Sequence, residues 1–166
     1  LHQAAGSREV IDLHGRLDRV VCLTCDAIES RESVHRRLTE ANPELVVDTD
    51  TINPDGDVDL EDEILARFTM VSCQACEGDL KPDVVYFGEN VPADRVRASY
   101  EWVDDARALL VVGSSLTVYS GRRFVIHAHK LGIPVVIVNA GETRAEELAT
   151  VRIDDDVCDV LESLLE

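Results

Sequence analysis

Apolar residues in the second half of the chain come in short unbroken runs. A glycine- or aspartate-rich turn follows each run, and a stretch with helical spacing follows the turn. Ala108-Leu109-Leu110-Val111-Val112 leads into Gly113-Ser114-Ser115, after which Phe124, Val125, Ala128 and Leu131 fall on one face of a predicted helix. Gly132 stands where a left-handed cap ends such a helix, and Pro134 blocks its continuation. Ile133-Pro134-Val135-Val136-Ile137-Val138 then leads into Asn139-Ala140-Gly141. Thr150-Val151-Arg152-Ile153 meets Asp154, read as the N-cap of a last helix that buries Val157, Val160, Leu161 and Leu164. Unbroken rather than alternating apolar runs predict strands covered on both faces, as in a parallel sheet. Their alternation with helices predicts a doubly wound α/β fold. Ligands in such folds bind at the carboxyl ends of the strands. Glycines there let a backbone approach a ligand closely, and helix N-termini offer N–H groups to ribose or phosphate oxygens.

The first half is organised differently. Val34, Leu38 and Ala41 predict a short helix after Ser30, and Leu60, Ile64, Leu65 and Phe68 predict another after Asp59. From Glu44 to Glu63 there are nine acidic residues and no basic one. Asn53-Pro54-Asp55-Gly56-Asp57 hints at a calcium loop, but with Gly56 at the sixth position Thr51 falls at the first, and no helix precedes it. The run reads as a solvated acidic face. With 166 residues, 45% of them hydrophobic, the chain has room for one core and a small satellite module. No stretch approaches the roughly 18 apolar residues of a membrane span. Leu1-His2-Gln3-Ala4-Ala5-Gly6 has neither the basic nor the apolar region of a signal peptide. A net charge of −17 argues against binding nucleic acid, whose phosphates it would repel; it reads either as solubility or as a surface that draws basic protein segments, and charge alone does not choose between the two.

The chemistry begins with cysteines. Cys22-Leu23-Thr24-Cys25 and Cys73-Gln74-Ala75-Cys76 each place two thiolates on one tight turn, and two such corners complete a tetrahedral Zn²⁺ site. Four cysteine ligands leave no position for water or substrate, so this metal is expected to be structural. The 47 residues between the pairs exceed what a compact finger needs, so the ribbon carries an insertion. Without an export signal, paired cysteines favour zinc over disulfides in a reducing compartment such as the cytoplasm.

Read in order, the motifs are Leu1-His2-x-x-Ala5-Gly6-Ser7, Leu13-His14-Gly15, the two cysteine pairs, and Leu80-Lys81-Pro82-Asp83-Val84-Val85-Tyr86-Phe87-Gly88-Glu89. Val112-Gly113-Ser114-Ser115-Leu116-x-Val118-Tyr119 and Asn139-x-Gly141 complete the series. This conjunction resembles the sirtuins, NAD-dependent protein-lysine deacylases, over essentially the whole chain. Tyr119-Ser120-Gly121, Pro54-Asp55-Gly56-Asp57 and the long insertion look most like the class II branch, which includes a mitochondrial sirtuin; a eukaryotic source would then mean the mitochondrial matrix. The resemblance implies a Rossmann-like NAD-binding domain formed by residues 1–16 and 82–166, with a zinc module and its helical acidic insertion at 17–81. Sirtuins open with a strand, a Gly-Ala-Gly-x-Ser cofactor loop and a helix, and carry Thr-Gln-Asn-x-Asp just upstream of the Leu-His motif. None of that is in this sequence, which looks like the C-terminal two-thirds of a sirtuin. The chain alone is therefore expected to be inactive or nearly so.

By the same resemblance, an acyl-lysine carbonyl oxygen displaces nicotinamide from the cofactor ribose, and the acyl group ends on ADP-ribose. His14 matches the base that takes a proton from the ribose hydroxyls, a role suited to a side chain that ionises near neutrality. Gly113, Ser114 and Ser115 match the adenosine-ribose turn. Asn139, Ala140 and Gly141 match a second ribose and adenine contact, and Cys158 matches a position whose backbone meets the adenine. The acyl-lysine peptide in sirtuins lies as a strand between the segments matching residues 87–91 and 115–118. His127 and His129, two apart on a predicted helix, face different ways and form no metal pair; His2 and His35 read as surface residues. Two other classes stay open: a mono-ADP-ribosyltransferase using the same site, and a non-catalytic interaction module built of a zinc ribbon and half a Rossmann sheet.

Overall fold

The computed structural model describes residues 2–45 and 62–164. The calcium-like motif, Leu60 and most of the acidic run lie outside the described residues. The chain forms two units, Leu1–Leu13 with Glu89–Glu166, and His14–Gly88.

The unit His14–Gly88 is built on a three-stranded antiparallel sheet of order β2-β1-β3, with β1 at Gly15–Cys22, β2 at Ile28–Ser30 and β3 at Leu80–Val84. Ser30 ends β2 in extended backbone and accepts the Ser33 N–H on its hydroxyl (3.1 Å), which starts helix α1, Arg31–Ala41. Asn42 closes that helix and ties it to the returning chain, since its amide donates to the Leu38 and Thr69 carbonyls and accepts the Thr69 N–H. Arg37 reaches from α1 to Glu29 (2.5 Å) and to the Ser72 carbonyl (2.8 Å). Helix α2, Asp62–Arg67, ends before Phe68, which the apolar spacing places within it.

In the other unit, β4 (Leu109–Val112), β5 (Val135–Val138) and β6 (Val151–Ile153) form a parallel sheet in that order, as the apolar runs predict. Helices α3 (Ala93–Asp104), α4 (Tyr119–Leu131) and α5 (Val157–Ser163) accompany it, with a 3-10 turn at Glu146–Leu148. The core gathers Val103, Leu116, Val125, Ala128, Val135, Ile137 and Ala145, with Leu109, Val111 and Phe124 packed against it. Full burial of a valine or isoleucine contributes about 1.5–3 kcal/mol, so Val125, Val135 and Ile137, at 1%, 0% and 0% exposure, carry much of this unit's stability. Gly132 ends α4 in the left-handed region (φ 74°), and the Ile133 N–H returns to the Ala128 carbonyl at 3.0 Å.

Three details differ from expectation. The second face of the sheet is covered only in part: Val138 is 2% exposed there, whereas Leu110 is 51% and Val151 47% exposed. The last helix buries less than its pattern implies, with Val157 and Val160 half-buried and Leu161 and Leu164 exposed. Finally, the N-cap of α5 is Asp156, which accepts the Cys158 N–H (2.8 Å) and Asp159 N–H (3.3 Å). Asp154 is engaged elsewhere, by a glycine amide described below. No helix among the described residues is long and apolar enough to cross a membrane.

Candidate metal centre and strand-end turns

The two cysteine corners fold alike. In each, the amide two residues on points at the first sulfur, Thr24 N–H to Cys22 Sγ and Ala75 N–H to Cys73 Sγ, both at 3.4 Å. The turns close by Asp26 N–H to the Cys22 carbonyl and Glu77 N–H to the Cys73 carbonyl, and Asp26 and Glu77 both sit in the left-handed region, at φ 58° and 59°. β1 delivers the first corner and β3 leaves the second, with Cys22 opposite Leu80 in the sheet register. All four sulfurs therefore converge within 4.8 Å of one another, Cys22 and Cys76 at 3.5 Å and Cys25 and Cys73 at 3.8 Å. None of the five cysteines is in a disulfide.

Four sulfurs around Zn²⁺ at about 2.3 Å stand about 3.8 Å apart, so the donor set fits the ion with little adjustment. The thiols also show why a cation belongs there. The Thr24 amide beside Cys22 holds its thiol down to about 6. The Gly78 amide draws Cys76 the same way, but the crowding Cys25 and Cys22 sulfurs push it up to about 12. Protons alone leave such a cluster mixed, whereas a divalent cation stabilises all four thiolates. With every position taken by sulfur, zinc here would hold the fold and open no route to chemistry.

The three strand-end turns of the other unit stand side by side, because Val112, Val138 and Ile153 are partners in the sheet register. Gly113 turns with φ 61° and donates its N–H to the Val138 carbonyl. Ser114 accepts the Leu116 N–H, and the Ser115 and Thr117 hydroxyls meet at 3.1 Å. Leu116 adopts φ 51°, uncommon for a leucine, while its side chain is buried in the core at 6% exposure. Core packing thus fixes a backbone the residue would not choose alone.

At the second turn Asn139 donates its side-chain amide to the Ala140 and Gly141 carbonyls at 3.0 and 3.1 Å. The Gly141 N–H goes to Asp154 at 2.8 Å and its carbonyl accepts from Arg152 at 2.5 Å. Sequence patterning missed Arg152, Asp154 and Glu146. Their one signal was charge at the end of an apolar run, which is common at strand ends. At the third turn Cys158 is exposed and gives its N–H to the Asp156 cap.

His14 belongs to the ribbon-bearing unit. It is exposed, and its carbonyl accepts the Val85 N–H at 2.9 Å, which joins the start of β1 to the end of β3. His127 pairs with Asp104 at 2.6 Å and packs edge-on against Tyr100, whereas His129, His2 and His35 are exposed.

Comparison with known proteins adds to this geometry. The sequence model of the Sir2 family matches residues 1–120. NAD-dependent protein deacetylase 1 of Streptomyces coelicolor is 55% identical over 153 residues, which cover 92% of this chain and 51% of that protein. NAD-dependent protein deacetylase 1 of Mycobacterium avium is 49% identical over 166 residues, 97% of this chain and 58% of that protein. The chain thus spans between half and three-fifths of these relatives. Among solved structures, "Sir2 bound to acetylated peptide" matches with a TM-score of 0.75 at 28% identity, covering 99% of this chain and 58% of that one. "Sir2-p53 peptide-NAD+" matches with a TM-score of 0.72 at 29% identity, covering 99% and 57%.

Proposed function

Because the chain belongs to the Sir2 family, we propose that it is the zinc-bearing and ribose-facing part of an NAD-dependent protein-lysine deacylase of the deacetylase type. The observation that carries this reading is the 55% identity, over 92% of the chain, to a bacterial protein named NAD-dependent protein deacetylase 1. The three turns in register at the carboxyl edge of β4–β6 support a cofactor there, since they combine glycine backbone, serine hydroxyls and an asparagine amide on one rim.

In this reading His14 accepts the proton that a ribose hydroxyl loses as its oxygen attacks the acyl carbon, while Gly113, Ser114, Ser115, Asn139, Ala140, Gly141 and the Cys158 backbone receive the NAD. The products are free lysine, nicotinamide and O-acyl-ADP-ribose. Cys22, Cys25, Cys73 and Cys76 hold zinc and take no part in turnover. A cytoplasmic setting, where thiols stay reduced, fits five cysteines outside disulfides. Tyr119-Ser120-Gly121 supports the class II branch.

The test is His14→Ala in the full-length polypeptide, assayed by nicotinamide release and by deacetylation of an acetyl-lysine peptide. We expect turnover to be lost and NAD affinity to stay near the parent value, because the histidine supplies proton transfer and not affinity. Turnover close to that of the parent removes His14 from the mechanism.

A further inference from the structure

The Asn139-Ala140-Gly141 turn does not stand by its own hydrogen bonds. Arg152 lies on β6, an edge strand of only three residues, with its side chain 21% exposed, and its guanidinium is used on every side. Nε donates to Glu146 at 3.2 Å, Nη2 to the Gly141 carbonyl at 2.5 Å, and Nη1 to the Ile153 carbonyl. Glu146 in turn accepts the Thr143 N–H at 3.0 Å, so the same carboxylate holds the loop and the arginine. Asp154 is the first residue after β6, two beyond Arg152. It accepts the Gly141 N–H at 2.8 Å and lies 3.5 Å from the Arg152 guanidinium.

Gly141 is therefore held at both its N–H and its carbonyl. An added Cβ there meets nothing within 4 Å, so it is the left-handed backbone, φ 83°, that calls for glycine and not a lack of space. The carbonyls of Ala140 and Gly141 both face the Asn139 amide nitrogen, which settles which end of that amide is which. Oδ1 of Asn139 is then the end turned away from the turn, an acceptor suited to a hydroxyl donor.

We propose that Arg152 and Asp154 are positioning residues for the cofactor: they clamp the Gly141 peptide from both sides so that Asn139 offers Oδ1 to a ribose hydroxyl. This rests on the reading of the turn as an NAD contact. Neither residue touches the reacting atoms. Their effect is on how well the turn is formed before NAD arrives, and a preformed turn saves the ordering cost that binding otherwise meets.

The test uses the full-length polypeptide with Arg152→Ala, Arg152→Lys, Asp154→Ala and Asp154→Asn. Arg152→Ala and Asp154→Ala are expected to raise the KM for NAD about tenfold, leaving kcat and the KM for an acetyl-lysine peptide near the parent values, the pattern of lost uniform binding. Asp154→Asn keeps an acceptor oxygen and is expected to restore most of the affinity; Arg152→Lys, with one point donor in place of a fork, restores little. Hydrogen exchange at the Gly141 amide is expected to quicken in Asp154→Ala and not in Asp154→Asn. An unchanged KM for NAD in Arg152→Ala, or a fall in kcat that tracks a fall in melting temperature, overturns the proposal while leaving the cofactor reading in place. A parent protein that neither binds ADP-ribose nor uses NAD overturns both.

Discussion

Gly15 gives the sharpest test of how the ribbon unit is built. It follows His14, opens β1 with φ 88°, and faces Val84 across the sheet. A Cβ at this position would stand 1.9 Å from the Asp83 carbonyl oxygen and 2.7 Å from its carbon. Non-bonded heavy atoms settle at about 3.5 Å or more, so Gly15→Ala forces β1 and β3 apart by roughly 1.5 Å at this point. The opposing atoms are backbone, and no side-chain rotation relieves the contact. Holding alanine in a left-handed conformation costs about 1–2 kcal/mol. Losing the hydrogen bond from Val85 to the His14 carbonyl removes about 1 kcal/mol more. The register shift between Gly15 and Val20 confines the damage, because the pairs from Val20 to Cys22 lie beyond it. A loss of about 3 kcal/mol lowers the melting temperature of a small unit by roughly 12–24 °C, and it displaces the histidine next door. Thermal melting of the zinc-loaded protein measures it, with Gly121→Ala as the control. Gly121 lies in α4 with nothing within 4 Å of an added Cβ, and alanine there is expected to stabilise by about 0.5–1 kcal/mol. A Gly15→Ala protein that melts with the parent would refute the reasoning.

Metal analysis after gel filtration should return one zinc per chain, and Cys73→Ser should lower the melting temperature of the full-length polypeptide more than its turnover; a folded, metal-free protein with four titratable thiols refutes this. In metal-free protein, thiolate absorbance should rise first near pH 6 for Cys22 and last near 12 for Cys76, where a single step in the ordinary thiol range would contradict the crowding described. The sign for Cys22 is that of a depressed acid: its contribution is present above the ordinary thiol range and fades as pH falls through about 6. Arg37→Ala should cost about 2–3 kcal/mol by leaving Glu29, whose side chain is only 13% exposed, without its partner, measured by urea unfolding. The 166-residue chain should self-associate, with Leu110→Lys reducing the association in sedimentation, because Leu110 and Val151 lie exposed on one sheet face.

Elements whose signal is local were legible in the sequence. The unbroken runs at Leu109–Val112 and Val135–Val138 became parallel strands, Ser30 and Gly132 capped the helices expected of them, and two Cys-x-x-Cys turns were enough to foresee four converging sulfurs. What failed needed the partner of each group. Asp154 and Asp156 are equally good caps in a string of three aspartates, and the choice fell to Gly141, whose amide took the first. An unbroken run records that its residues are apolar and not how far each is covered, so Val138 is buried on the face where Leu110 and Val151 are exposed. Arg152 was invisible because its partners Glu146 and Gly141 precede it by 6 and 11 residues with no period linking them.

The converging cysteines also decide how freely this protein can diverge. With Cys25 and Cys73 sulfurs 3.8 Å apart, the 47 residues between them leave and re-enter the ribbon at one point. Once a metal has joined those ends, the entropy of closing the loop grows only with the logarithm of its length, about 0.6 kcal/mol for each doubling. Between Leu45 and Asp62 the chain can lengthen, shorten or change its charge across a lineage while β2 keeps its register against β1. Selection can therefore rewrite this stretch at a rate the sulfur-bound base would not survive.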